Sequence, residues 1–320
     1  MKFAIVGAGA IGAFVGAMLS KAGEDVSLIA RGAHLKAMQE NGVQVRGSLG
    51  EFSAHPNATD DPSSIGPVDY VLLAVKAHSL TDIAPRLAPL IGPETCVVSA
   101  QNGLPWWYFY KHGGEWEGTH LESVDPGAVI SRSIDPAKVI GCIVYPAAVI
   151  VEPGVIEHIE GTRLPIGEPD KSKSERCKRL ADAFIKAGLR SPIRTDIRHD
   201  MWVKLMGNVA FNPISALTRA TLVDIVQFPE TRELASAIMA EVDSVAQKLG
   251  IEMGISIQQR LDGAEKVGAH KTSMLQDLES GRPMELEAIV GAVVELGDKM
   301  GLSLPCTRAV YACVKLLARK

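Results

Sequence analysis

Two kinds of hydrophobic spacing divide the chain. In the first part, short apolar runs alternate with turn residues: Phe3–Val6, Asp25–Ala30, Val68–Val75, Cys96–Ala100, Val139–Tyr145, Gly154–Ile159, Arg163–Ile166 and Arg190–Arg194 read as strands. Several are almost uninterrupted Val, Ile and Leu, as expected of a parallel sheet buried on both faces. Helical patterns follow Gly12 as far as Leu19 and span Lys173–Ala187, which Gly188 closes. From Asp196 onward the spacing is helical throughout, over Arg198–Phe211, Ile214–Thr218, Pro229–Leu249, Ile257–Val267, Glu285–Met300 and Thr307–Ala318. The pattern predicts an α/β domain over 1–194 and an all-α domain over 195–320, with a cleft between them as the natural ligand site.

The first strand runs straight into Gly7-Ala8-Gly9-Ala10-Ile11-Gly12 and then a helix, and Asp25–Ala30 completes a βαβ unit. In that context Gly7 permits the tight turn, Gly9 lets a pyrophosphate approach the backbone and Gly12 lets helix and strand pack closely. The helix N-terminus faces the phosphates. This is a Rossmann-type dinucleotide site. An acidic residue at the end of the second strand would hold a ribose 2′-hydroxyl, but the chain has Ala30-Arg31. A guanidinium there meets a 2′-phosphate, which predicts NADP over NAD. The competing reading is a surface arginine that merely follows a strand.

Residues just past the carboxyl ends of parallel strands line the ligand crevice of such sheets. Lys76 and Asn102 occupy those positions after Val68–Val75 and Cys96–Ala100. Lys76 could reach cofactor phosphates or substrate, or be a solvated lysine. Asn102 offers a donor and an acceptor near the nicotinamide, or belongs to an ordinary Asn-Gly turn.

In the helical half, Lys204, Asn208 and Asn212 are spaced by four and drift across only about 80° of a helix surface. They present one ammonium and two carboxamides on a shared face, and Pro213 is expected to end that helix near Asn212. The bland alternative is a partly solvated helix. The aromatic stretch Trp106–Trp116 lies in a long segment without periodicity, which suits a lid, core packing or a homodimer contact, with packing or a dimer contact favoured for most of its side chains.

Composition narrows the function. A chain of 320 residues with 47% hydrophobic content buries a sizeable core, and a net charge of −4 without basic runs argues against nucleic acid. Five scattered cysteines fit a reducing compartment rather than a disulfide framework or metal site. The apolar run from Phe3 to Leu19 looks like a signal peptide until its glycines are counted, and no other stretch is long enough to span a bilayer, so the expectation is a cytoplasmic protein with small-molecule partners.

These pieces together resemble the ketopantoate reductase (2-dehydropantoate 2-reductase) family over nearly the full length. The matching motifs are Gly7-x-Gly9-x-x-Gly12, Arg31, Lys76-Ala77, Asn102-Gly103, Trp202-Val-Lys204-Leu-x-x-Asn208-x-x-x-Asn212-Pro213, Ser273-Met-Leu-Gln-Asp277, Gly281-Arg-Pro-x-Glu285 and Gly301-x-x-x-Pro305. The resemblance implies a Rossmann-type N-terminal domain followed by a 6-phosphogluconate dehydrogenase C-terminal-like domain. It implies Lys204 as the general acid, with Asn102, Asn208, Asn212 and Ser273 as substrate contacts and Glu285 serving both the lysine and the ligands. Gly7 to Gly12, Arg31, Lys76, Asn102, Ala147 and Glu285 would contact NADP. The implied reaction is reduction of 2-dehydropantoate to (R)-pantoate in pantothenate and coenzyme A biosynthesis. Two positions depart from the family pattern: Leu222 and His270 stand where the family has substrate-binding asparagines. They keep open the reduction of a different 2-oxo acid. A non-catalytic NADP(H) sensor is the rival from another class.

Overall fold

The computed structural model describes residues 1–319. Contacts group the chain into two units, one made of Met1–Gln101, Trp107–Gly118 and Gly127–Ile197, the other of Asn102–Trp106, Thr119–Pro126 and the chain from Arg198 onward.

The first unit contains β1 (Lys2–Val6), α1 (Ala10–Lys21), β2 (Asp25–Ile29), α2 (Gly32–Asn41), β3 (Val43–Gly47), β4 (Phe52–Ala54), β5 (Asn57–Thr59), β6 (Tyr70–Leu73), α3 (Ala77–Ile83), β7 (Cys96–Ser99), α4 (Val129–Ser133), β8 (Val139–Cys142), β9 (Ala147–Glu152), β10 (Val155–Glu160), β11 (Ile166–Gly167) and α5 (Glu175–Lys186). Seven strands form one sheet in the order β11-β8-β7-β6-β1-β2-β5. Its central members are parallel and only β11 runs antiparallel to its neighbour β8. A second sheet, ordered β4-β3-β10-β9, has no counterpart in the predicted elements apart from β10. Its strands are short: β3 alternates, with Val43 and Val45 buried and Gln44 and Arg46 exposed, but over only five residues, and in β10 the outward positions mix Val155 and Ile159 with Glu157.

Helix α1 is buried on every side from Gly12 to Leu19 because it packs on the first sheet and is covered by the second. The signal-like apolar run is therefore a core strand and a core helix. Phe14 of α1 stacks on His158 of β10 at 4.6 Å between centroids, and that buried imidazole is satisfied by the Ser48 hydroxyl and the Gly161 carbonyl. The strands expected over 163–166 and 190–194 are mostly absent. β11 covers only Ile166–Gly167, and Arg163 with Arg190 and Ile166 with Ile193 pair as isolated bridges. Pro165 and Pro192 supply no N–H to a ladder at those points.

The second unit is helical: α6 (Ile197–Thr218), α7 (Leu222–Gln227), α8 (Pro229–Lys248), α9 (Ile257–Val267), α10 (Ser273–Glu279), α11 (Ala292–Lys299) and α12 (Pro305–Leu317), with a π-helical turn at Glu287–Gly291 leading into α11. Pro213 does not end its helix, contrary to expectation; α6 runs unbroken through it to Thr218. The cost of an interior proline, about 3 kcal/mol, is offset by burial of Ile214, Ser215 and Ala216 beyond it. Helix α7 fills the stretch between the expected helices Ile214–Thr218 and Pro229–Leu249, a helix missed in the sequence, and it opens on Thr221-x-x-Asp224, whose carboxylate accepts from the Thr221 N–H at 2.9 Å in a capping box. On α8, Ala235, Ile238, Met239, Val242, Val245 and Ala246 form the buried stripe, and Glu241 caps α12 by accepting from Cys306 and Thr307 N–H groups at 2.9 and 2.8 Å. Trp107, Tyr108 and Phe109 are buried, so these three aromatic residues serve packing. No helix among the described residues is long and apolar enough to cross a membrane.

Candidate active site

In the helical unit, the continuity of α6 keeps Lys204, Asn208 and Asn212 on one face. The Lys204 ammonium donates to Asn102 Oδ1 at 2.8 Å, and Asn102 Nδ2 donates to Glu285 Oε2 at 3.2 Å. Asn102 thus bridges the lysine and the carboxylate with its two amide atoms, which fixes which is oxygen and which nitrogen. Glu285 is only 8% exposed and directly precedes the helical turn that begins at Leu286. Asn212 is 4% exposed, and its Nδ2 is enclosed without a hydrogen-bond partner. A buried donor left unsatisfied costs about 1–3 kcal/mol. Asn208 is half-buried and makes no side-chain hydrogen bond among the described residues. Ser273 is exposed at the first position of α10, behind the N-cap Thr272. Leu222 and His270 are adjacent, since the Leu222 N–H donates to the His270 carbonyl at 3.0 Å.

In the α/β unit, each glycine of the loop has a distinct reason. Gly7 has φ +94°, and a Cβ there would lie 2.6–2.9 Å from three Val75 atoms. At Gly12 a Cβ would fall 2.1 Å from the Gly7 carbonyl oxygen. At Gly9 it would meet nothing within 4 Å: the space in front of the α1 N-terminus is open, as a pyrophosphate cradle requires. No acidic residue stands in the first turn of α1 to oppose an anion. Gly7 and Ala8, Ala10 and Ile11 lie along this loop and first turn, and the Gly7 and Ala8 N–H groups donate to the Ile29 carbonyl at 3.1 and 3.0 Å. That ties the loop to the end of β2, two residues before Arg31. Arg31 is exposed at the N-cap of α2 with no ion pair among the described residues. Lys76 follows directly on Val75, the residue packed against Gly7. The structure therefore gathers the loop, Arg31 and Lys76 at one end of the sheet. Ala147 opens β9 in the second sheet, alongside α1.

His34 is a neighbour of this loop that the sequence does not signal, because a lone histidine on a short surface helix carries no motif. Its Nδ1 accepts from the Gly154 N–H at 2.9 Å, while Nε2 is enclosed near the Ala8 backbone without a hydrogen bond of good geometry. Burial lowers its pKa from the ordinary 6.5, with the Ala8 backbone opposing. The folded state thus prefers the neutral ring. Its stabilising contribution is complete above about pH 6.5 and is lost as the pH falls through the lowered folded value. Thermal melts between about pH 8 and about pH 5 should show a fall in Tm that His34→Gln makes shallower, since glutamine keeps an acceptor for Gly154 but does not titrate. An unchanged slope would remove His34 from the acid response.

Comparison with known proteins agrees with this architecture. The model of the ketopantoate reductase PanE/ApbA family matches residues 3–171, and that of its C-terminal domain matches residues 196–318. A 2-dehydropantoate 2-reductase from Mesorhizobium japonicum is 50% identical over 319 residues, covering 99% of this chain and 98% of its own. The crystal structure of a candidate ketopantoate reductase from Ralstonia solanacearum superposes with a TM-score of 0.94 at 39% identity, covering 99% of this chain and 98% of the other. D-mandelate dehydrogenase, crystallised with NADH and anilino(oxo)acetate, shares the fold at TM-score 0.85 and 23% identity, over 99% and 98% of the two chains.

Proposed function

Because the chain belongs to the ketopantoate reductase family, we propose that it reduces 2-dehydropantoate to (R)-pantoate with NADPH in pantothenate and coenzyme A biosynthesis. The observation that carries this reading is the Lys204–Asn102–Glu285 chain of hydrogen bonds, with Asn208 and Asn212 on the same face of α6 as the lysine. NADPH, when bound, supplies the hydride that reduces the ketone carbon. Gly9 and the α1 N-terminus would hold its pyrophosphate, and Arg31 with Lys76 its 2′-phosphate.

Lys204 delivers the proton that the developing alkoxide requires. A lysine, ordinarily titrating near 10.4, arrives charged at neutral pH. Its charge also stabilises the oxyanion and attracts the substrate carboxylate before the proton moves. Asn102 aims the ammonium through Oδ1, and Glu285 fixes the amide orientation through Nδ2. Asn208 and Asn212 supply neutral donors and acceptors for the substrate's hydroxyl and carboxylate oxygens, with Ser273 as a further hydroxyl. In this assignment 1–194 is the nucleotide-binding domain and 195–320 the substrate domain, and the protein works in the cytoplasm.

The adjacency of Leu222 and His270 favours a second reading, reduction of another 2-oxo acid, because both departures from the family pattern alter one place. Following NADPH oxidation near 340 nm with ketopantoate and a panel of 2-oxo acids separates the two. Ketopantoate as the best substrate by kcat/KM supports the first reading. A different winner supports the second, and NADPH binding without turnover of any member supports a sensor.

A further inference from the structure

We propose that a backbone lock between Gly103 and the π-helical turn at Glu287–Gly291, braced from behind by Tyr311, positions Asn102 against Lys204. The inference rests on the reading of Lys204 as proton donor and names how its orientation is set.

Asn102 has few rotatable bonds, so its amide lies where the backbone of residues 102–104 puts it. That backbone has no slack. Gly103 has φ +86°, and a Cβ there would fall 2.2 Å from the Ala288 carbonyl oxygen and 2.5 Å from its carbon. The next residue closes the contact, as the Leu104 N–H donates to the same Ala288 oxygen at 2.9 Å. Only glycine satisfies both the positive φ and this approach.

Ala288 sits in the π turn, where the Ala292 N–H donates to the Glu287 carbonyl five residues back. The same turn begins two residues after Glu285, the second partner of Asn102. One short segment therefore sets both the acid and the main-chain oxygen on which the Asn102 loop rests.

The far side of the turn is held from α12. Glu287 Oε2 accepts from the Tyr311 hydroxyl at 2.5 Å, and Lys315 Nζ lies 3.2 Å from Oε1. A Cβ at Gly291 would come 2.5 Å from that Glu287 oxygen, so the carboxylate folds back over a glycine. Gly103 and Tyr311 are thus positioning residues: neither belongs to the proposed set of ligand contacts, and each acts through Asn102 and Glu285.

The test combines a mutant cycle with a readout that needs no turnover. Gly103→Ala should lower kcat at least about tenfold, and Tyr311→Phe severalfold. The double variant Gly103→Ala/Asn102→Ala should be no worse than Asn102→Ala alone, because the glycine acts only through the asparagine. Acylation of Lys204, followed by peptide mass spectrometry at fixed pH, should accelerate severalfold in Gly103→Ala and in Asn102→Ala alike, since each withdraws the Asn102 oxygen that accepts from the ammonium at 2.8 Å. Additive losses in the cycle, or Lys204 labelling unchanged in Gly103→Ala, would overturn the lock. Labelling reports on the lock even if no 2-oxo acid is reduced, which separates its failure from failure of the proposed reaction. Should Gly103→Ala not fold, Tyr311→Phe carries the test by the same two readouts, and wild-type values for both would sink the proposal.

Discussion

Lys204→Ala is expected to lower kcat about 10²- to 10³-fold while leaving NADPH affinity within a few-fold of wild type. The two effects it removes, proton delivery and charge stabilisation of the alkoxide, reside in one ammonium and so do not multiply. Either alone accounts for a factor of about 10² to 10³. The variant should fold, because Lys204 is half-buried on a helix held by Trp202, Leu205, Met206 and Val209 in the core. The hydride donor would still bind, since the glycine loop and Arg31 belong to the other unit. Steady-state kinetics with the best 2-oxo acid, together with NADPH fluorescence titration, check both halves. Retention of a tenth of the wild-type kcat would mean that another group donates the proton.

The second large effect concerns cofactor choice. Arg31→Ala should weaken NADPH binding about 10- to 100-fold and change NADH binding by less than about twofold, the loss expected for charge-assisted hydrogen bonds to a phosphate. Position favours this role: the loop N–H groups are tied to Ile29, and Arg31 stands two residues beyond, exposed and without an ion pair among the described residues. Its removal disturbs no internal contact, so stability should not change. Binding of NADPH and NADH by calorimetry, at one salt concentration because phosphate contacts are screened, measures the ratio. Equal losses for both cofactors would show that Arg31 does not read the 2′-phosphate.

Much of this was legible in the chain because the relevant signals are local. A glycine loop between a strand and a helix is read from a dozen residues, and a polar face at intervals of four needs only one helix. The misses are non-local. Pro213 breaks a helix in isolation, yet buried residues beyond it carry α6 onward. The second sheet pairs β3 with β10, strands separated by about a hundred residues and each too short to stand out alone. The bridging role of Asn102 was similarly hidden: its neighbours Lys204 and Glu285 come from distant stretches. Gly103 looked like half of an ordinary Asn-Gly turn, whereas its need for glycine comes from the Ala288 carbonyl. The π turn leaves no mark in the hydrophobic spacing of Glu285–Met300.

The burial of α1 also bears on how the chain acquires its structure. The outer cover of that helix includes β9 and β10, which end at Glu160, so the apolar surface of Phe14 and its neighbours stays bare until half of the polypeptide has been synthesised. At about 5–20 residues per second on the ribosome, that is an interval of many seconds. An early βαβ nucleus is therefore adhesive during translation, and nascent chains truncated before residue 147 should recruit holdase chaperones far more strongly than chains extended past residue 160.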